Sequence, residues 1–417
     1  MRKSVFTTLA VSFAFINLIF SQDNYKLMFY NVLNYPTQAP ANRIQHLQTI
    51  LDDYRPDIFM ICELNSEEGA DNILNIMKEI NGDYESADFE LNSSDNTIGN
   101  SNELQNMMFF NSSKFTLEEQ FIIPSIYRDF NHYRLKSVTI NNSIDPIFLE
   151  VLVGHLKASS GETNEQLRLT MVNDLINYIE TMPADSNIIF GGDLNLYTSN
   201  EPAFQELIDA NNDIVLVDPA NRPGNWHNNQ SFVDMFTQST RTQSGLGGAS
   251  GGFDDRFDFL LTSNNMITNS DIYYVNNSYQ VYGNNANFNC YNQSINSSNC
   301  DGDNYNQIIR DRLYNMSDHL PVTLELQLNE TLNTSNISND CGLKIIGSNL
   351  ISEQLQIQIT INQSQVFVIY NTLGQAVQNI QTYRKGFVNI DVSKLPTGIY
   401  YLASKTDTET ILKFIIE

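Results

Sequence analysis

Six apolar runs in this chain each meet a polar residue able to do chemistry. Asn31 lies in LMFYNV, Glu63 closes IFMICEL, His155 follows VLVG, Asp193 follows IIFGG, Asp258 sits in RFDFLL, and His319 stands before LPV. Runs of this length and composition read as strands. A strand end is where an α/β sheet presents groups to a shared crevice. Taken singly, each residue is equally well a capped strand end, a satisfied core histidine or a turn acid. Six such junctions in one chain are hard to account for as independent accidents.

The stretch FGGDLNL, residues 190–196, is the densest of them. Ile188 to Phe190 reads as a buried strand, and Gly191 and Gly192 mark a close approach of backbone to something else. On extended chain, Asp193 and Asn195 share a face because they lie two apart.

Helical spacing fills the intervals. Ile44, Leu47, Ile50, Leu51 and Tyr54 form one apolar stripe, ended by Arg55 and Pro56. Ile73, Leu74, Met77 and Ile80 form a second, and Met171, Val172, Leu175, Ile176 and Ile179 a third within a helix over 165–180. Strands interspersed with helices predict an α/β domain with more than one layer of sheet over residues 23–327. QLNETLNTSNISND then turns polar, a linker over 328–342. Residues 343–417 alternate apolar and polar, as in LQIQITI, with turn signals at Gly374 and at Pro396 to Gly398; they predict a small all-β domain.

Met1 Arg2 Lys3 precedes an uncharged, largely apolar stretch to Phe20, which reads as a secretory signal peptide over residues 1–21, with an uncleaved anchor helix as the alternative. In the oxidising compartment this implies, Cys290 and Cys300 are placed to bridge around a polar loop, a link worth roughly 3 kcal/mol in the chain-entropy model. Cys62, inside IFMIC, reads as a buried free thiol. Lys and Arg total 23 against 48 Asp and Glu, a net charge of −25, which argues against a nucleic-acid binder relying on a broad basic surface. Two further stretches carry weaker signals. GLGGASGG at 245–252 lacks the Lys-Ser/Thr of a phosphate loop and reads as a substrate flap or a plain flexible linker. DGDN at 301–304 suggests structural Ca²⁺, against which stands the missing glutamate at the twelfth loop position.

The ordered set YNV, ICELN, HLKAS, GGDLN, RFDFLL and SDHLP resembles the endonuclease/exonuclease/phosphatase superfamily, the DNase I-like fold. That resemblance implies a four-layered α/β sandwich of two packed mixed sheets flanked by helices, and metal-dependent hydrolysis of phosphoesters. It implies that Asn31, Glu63 and Asp318 hold Mg²⁺ or Mn²⁺, to which hard oxygen ligands are suited. Asp193 would orient or deprotonate the attacking water, and Asn195 would bond a non-bridging oxygen. His319, its tautomer fixed by Asp258, would contact the scissile phosphate, with His155 as a second contact or an aid to the leaving oxygen. Lys157 or Arg134 would add fixed positive charge. HLKAS, with Arg168 on the next helix, is similar to secreted nucleases acting on DNA or RNA. The alternatives are a phosphatase or phosphodiesterase on inositol phosphates or sphingomyelin, and a surface adhesin that has lost its chemistry. VIYNTLGQAV, VNIDVSKLPTGIYYL and the terminal ILKFIIE resemble the sorting domain of type IX (Por) secretion, which implies outer-membrane secretion machinery as a partner; a generic β-sandwich or carbohydrate-binding module is the alternative.

Overall fold

The structure, a computed structural model, describes residues 24–40, 42–94, 104–138, 146–268, 270–328, 343–346, 349–359, 365–382, 386–404 and 411–416. The expected leader at 1–21, and all of the expected linker but Leu328, lie outside them. Contacts divide the chain into two compact units, Met1–Asn329 and Glu330–Glu417.

The first unit opens with β1 (Asn24–Tyr35), α1 (Arg43–Tyr54), β2 (Ile58–Leu64) and α2 (Glu67–Ile80). Strands β3 (Tyr84–Ser86), β4 (Gln105–Asn111), β5 (Phe115–Ile123), β6 (Phe130–Ser137) and β7 (Phe148–His155) follow. Next come α3 (Glu162–Ile179), β8 (Ile188–Asp193), α4 (Pro202–Leu207), β9 (Leu216–Val217) and β10 (Asp258–Ser263). The unit ends with α5 (Asn265–Thr268), β11 (Ile272–Tyr274), β12 (Gln280–Val281), α6 (Gln307–Met316) and β13 (Val322–Leu328).

Local chemistry sets the helix limits. Leu47, Ile50 and Leu51 bury one face of α1, and the helix stops where Arg55 turns left-handed (φ 53°), its N–H bonding Leu51 O ahead of Pro56. Ser66 caps α2 by accepting from the Gly69 N–H, with Glu67 and Glu68 in the first turn favoured by the helix dipole.

One sheet runs β11-β13-β1-β2-β4-β3, with β12 also on β13; the other runs β5-β6-β7-β8-β10-β9. Their inner faces share a core that extends to α1, α2 and α6 through Leu47, Ile73, Met77 and Leu313. A second core, with Met171, Leu175 and Phe204, lies between the other sheet and helices α3 and α4. The result is the four-layered α/β sandwich expected from the motifs. Each sheet has one parallel pair at its centre, β1 with β2 and β7 with β8, flanked by antiparallel neighbours β13, β4, β6 and β10. The parallel strands therefore deliver their C-terminal ends, and the antiparallel ones their N-terminal ends, to a single edge of the sandwich.

The paired glycines serve this packing. A Cβ on Gly191 would lie 3.0 Å from Met60 Sδ and 3.2 Å from Phe29, side chains of the opposite sheet, and one on Gly192 would lie 2.8 Å from Gly154 O. The close approach expected at these positions is present, but it is sheet against sheet and strand against strand rather than backbone against the site. The Cys290–Cys300 disulfide is formed, and Cys62 is free and buried.

In the second unit, β14 (Leu343–Ile345), β16 (Gln354–Ile359) and β19 (Gly386–Asp391) make a three-stranded sheet. Strands β15 (Leu350–Ile351), β17 (Gln365–Asn371), β18 (Ala376–Thr382), β20 (Gly398–Ser404) and β21 (Ile411–Ile416) make a five-stranded one. Alternate residues such as Leu355, Ile357, Ile369, Leu402 and Phe414 point into one core between them.

Candidate active site

Register puts three of the six residues level across one sheet, His155 opposite Asp193 and Asp193 opposite Asp258. The other sheet contributes Asn31, paired with Cys62, and then Glu63 within a β-bulge; Glu63 has φ 61°, a left-handed conformation that costs a non-glycine residue energy and turns its carboxylate at the strand end. His319 arrives from the approach to β13. Ser317 ties that segment to β1 by donating to Asn31 O at 2.7 Å and accepting the His319 N–H at 3.2 Å.

The side chains converge. The Asn31 amide donates to Glu63 Oε1 (2.9 Å) and Asp193 Oδ2 (3.0 Å), and lies 3.5 Å from His319 Nε2. Its oxygen accepts the Leu33 N–H. Asn31 thereby holds two carboxylates together. His155 Nε2 lies 3.5 Å from Asp193 Oδ2 and 3.9 Å from Glu63 Oε1. His319 Nδ1 bonds Asp258 Oδ2 at 2.7 Å, as expected for a histidine whose tautomer is held by a carboxylate.

Burial and neighbours push the two histidines apart. Desolvation, then the charges of Arg128, His319 and Lys157, hold His155 well below the usual histidine range. Burial would do the same to His319, but the carboxylates of Asp258, Asp318 and Asp193 outweigh it and keep it well above that range. Burial, reinforced by Asp258 and Glu63 against the opposing His319, raises the Asp193 carboxyl to about 7. Glu63 is raised by burial and by Asp318. The site thus sets a histidine held below its ordinary range beside one held above it, next to Glu63 and Asp193, whose carboxyls are both raised.

Asn195 does not lie on extended chain. The strand ends at Asp193 and Asn195 has φ 50°, so the two residues are joined by a tight turn in which the Asn195 N–H donates to Asp193 Oδ1 at 3.2 Å. Its amide nitrogen donates to Leu156 O at 3.3 Å, beside His155. Both residues reach the site, by a different route from the one alternation predicts.

Asp318 is buried at the same edge, but one of its oxygens is already engaged. Ala249 N donates to Asp318 Oδ2 at 2.6 Å and Gln238 Nε2 at 3.3 Å. GLGGASGG therefore touches Asp318 as a strap at its middle: at Gly248 (φ 64°) a Cβ would lie 2.3 Å from Asp318 Oδ2, which only glycine avoids, whereas Gly245 and Gly251 are exposed with nothing within 4 Å of an added Cβ. Asp318 Oδ1 is buried with no hydrogen-bond partner.

The expected cations divide. Lys157 stays near the site, its ammonium on Ala158 O and 5.4 Å from the Tyr127 ring. Arg134 does not reach it. It pairs across β6 and β7 with Glu150, five residues and about 17 Å below His155, and is engaged by Glu119 and the Phe148 ring. Arg168 is a buried strut, bonding Glu201 and the carbonyls of Lys157 and Ser159. Two residues escape the sequence reading. Arg128, two residues before β6, donates to His155 O (3.2 Å) and Leu156 O (2.9 Å). Gln238 places its amide 2.6 Å from His319 Nε2. The strand-end rule applied to β6 would have found Arg128; Gln238 lies in an irregular loop with no local signal. At DGDN, Asp301 is ion-paired with Arg310.

Among the described residues, the ligand atoms of Glu63, His155 and Asp193, and those of Asp193, Asp258 and His319, each gather within 4.8 Å. The grouping includes Glu63 but not Asp318.

Residues 348–417 match the family model of the secretion system C-terminal sorting domain. The tail is a sorting domain. The protein is therefore secreted or attached at the cell surface. No curated protein matches the chain. Solved structures similar to it include the human Nocturnin catalytic domain with bound sulfate anion, at 14% identity over 73% of this chain and 95% of that one, TM-score 0.47. TDP2 from D. rerio complexed with single strand DNA product is 15% identical over 73% and 99%, TM-score 0.46. The endonuclease/exonuclease/phosphatase from Bacteroides vulgatus is 11% identical over 74% and 100%, TM-score 0.46. No helix among the described residues is long and apolar enough to cross a membrane.

Proposed function

We propose that the first unit is a secreted, divalent-metal-dependent phosphoester hydrolase, a nuclease acting on the phosphodiesters of DNA or RNA. The observation that carries this reading is the convergence of Glu63, Asp193 and Asp258 with His155 and His319 at a single sheet edge. Such a set suits neither a cap nor a core, since buried carboxylates this close repel one another unless something cationic joins them.

The donor set fits a hard cation: Glu63 and Asp193 offer carboxylate oxygens, and the orphaned Asp318 Oδ1 is a buried acceptor without a donor. Bound there by Glu63, with Asp318 or Asp193 completing the set, Mg²⁺ or Mn²⁺ would supply positive charge to the phosphoryl oxygens. The chain's own groups supply the rest. Asp193, held by Asn31, orients a water and takes its proton as the oxygen attacks phosphorus. His319, kept cationic by Asp258, faces the charge that grows on the phosphoryl oxygens. The Asn195 amide swings from Leu156 O to the same oxygens, and Arg128 behind the His155 carbonyl adds fixed positive charge. His155, neutral and bearing a buried Nδ1 without a partner, is suited to bonding the leaving oxygen.

The net charge of −25 favours a small phosphoester over a long polyanion. Assaying purified protein on plasmid DNA, RNA, sphingomyelin and inositol phosphates with Mg²⁺ or Mn²⁺ decides between them. Hydrolysis of DNA or RNA that disappears in EDTA is expected; undiminished turnover after exhaustive EDTA treatment overturns the metal requirement, and activity confined to sphingomyelin or inositol phosphates overturns the nuclease.

A further inference from the structure

One aromatic pair beside the site has no part in the chemistry above. Tyr197 lies two residues past Asn195, and its carbonyl accepts the N–H groups of Trp226 (2.9 Å) and His227 (3.2 Å). The His227 ring meets the Tyr197 ring edge-on, centroids 5.0 Å apart at 73°; Phe257 packs on Tyr197 at 5.1 Å and 70°, and the Arg168 guanidinium lies 5.8 Å from its centroid. His227 Nδ1 bonds Asp255 Oδ1 at 2.6 Å, which fixes the ring's rotation. Asp255 belongs to the site's own frame, since Gln238 bridges Asp255 on one side and His319 on the other. The pair therefore sits at a fixed distance from the reacting groups. Its exposure is what separates it from them: the His227 side chain is 42% exposed, against 4% for His155 and His319.

What could such a rim hold? A second phosphate is a poor candidate, because Asp255 and the adjacent Asp254 set two carboxylates beside one imidazole. The rim offers ring surface instead, and stacking of a base needs no positive charge, which matters in a chain of net charge −25. Resting on the hydrolase reading above, we propose that Tyr197 and His227 form a stacking platform for a nucleobase next to the scissile phosphate. The preferred substrate is then single-stranded nucleic acid, whose bases are free to leave their neighbours. Sphingomyelin has no ring and inositol phosphates have only an aliphatic, polyhydroxylated one, so neither presents a π-face to stack on the platform.

The test is binding of a fluorescent single-stranded 12-mer and of the same strand with every base replaced by an abasic tetrahydrofuran. It uses the full chain in an Asp193→Asn background to suppress cleavage. The base-bearing strand should bind about fivefold or more tightly, the scale of one stacked base. His227→Ala should abolish most of that ratio, and His227→Phe should retain it, because phenylalanine keeps the ring while losing the Asp255 hydrogen bond. Melting temperatures report whether each variant is folded. Equal affinity for both strands, an unchanged ratio in His227→Ala, or a folded His227→Phe behaving like His227→Ala would each overturn the platform. Parallel turnover on the Asp193 protein separates this from the parent reading: cleavage without base preference refutes the platform alone, whereas base-dependent binding without cleavage under Mg²⁺ or Mn²⁺ supports the platform and refutes the hydrolase.

Discussion

The two units of this chain treat charge in opposite ways. The first buries His155, Asp193, Asp258, Asp318 and His319 at one edge of its sheets, whereas every buried residue described in the second unit is apolar. Burying a charge without a partner costs several kcal/mol, so a fold keeps such groups only where something else requires them. The second unit, whose strands simply alternate around Leu355, Ile357, Leu402 and Phe414, is what a β-sandwich looks like when its task is to be recognised. The first gives up stability at one edge, the edge where the proposed chemistry lies.

The sharpest way to break this contrast is to remove the buried groups. Asp193→Asn and His319→Ala should each lower turnover by about 10²-fold or more, because both act on charge that develops during displacement. Turnover and melting temperature measured on the same preparations check it; early melting with normal turnover would return both residues to a purely structural role.

The same residue should reveal the cost in stability. The Asp193 carboxyl is raised from 3.8 to about 7, so the native state holds a proton that the unfolded chain has already lost. Its contribution is therefore present at low pH, is lost as pH rises from about 4 to about 7, and is missing above that. In EDTA at pH 8, Asp193→Asn should melt higher than the parent, by an amount on the order of a few kcal/mol at most. The difference should shrink at pH 4 and when Mg²⁺ is added. A variant that melts lower at pH 8 would show that Asp193 is not held against its charge.

How much of this could be read beforehand follows the same division. The alternation in the second unit and the polar strand ends of the first are local signals, and they survive in part: β16 alternates, whereas β17 buries Phe367, Val368 and Ile369 in a row, and Asn31 lies inside β1, which runs on to Tyr35. Local periodicity says which face a residue occupies; it says nothing of how the chain turns where periodicity stops. That is why alternation alone aligns Asp193 and Asn195 on extended chain, although a left-handed Asn195 joins them. It is also why Gly191 and Gly192 point to a close approach without telling that its partners are Met60, Phe29 and Gly154. Gln238 and the strap over Asp318 depend on contacts across 80 and 69 residues, beyond the reach of any motif.

Two glycines sharpen the comparison at smaller scale. Gly248 and Gly374 are both left-handed, at φ 64° and 74°, but an added Cβ at Gly248 meets the Asp318 carboxylate while one at Gly374 meets nothing within 4 Å. Alanine at either position should cost roughly 1 kcal/mol of backbone strain. Only Gly248→Ala should also move a site carboxylate, lowering turnover by about tenfold or more, as small misplacements do. Equal turnover in the two variants would mean that the strap and Asp318 adjust together.

The smallest effect is expected from the largest change. All six of the residues singled out in the sequence lie at or before His319, and the polar stretch that follows separates them in sequence from the sorting domain at 348–417. Truncation after about residue 335 should therefore leave turnover per molecule nearly unchanged, since every residue placed in the site belongs to the first unit. Export or retention at the surface should fail, because the sorting signal is gone. Measuring specific activity of the purified truncate, with circular dichroism to establish that it is folded, tests the division directly. A folded truncate without activity would show that the apolar unit supports the charged one after all, and that address and chemistry are not separable in this chain.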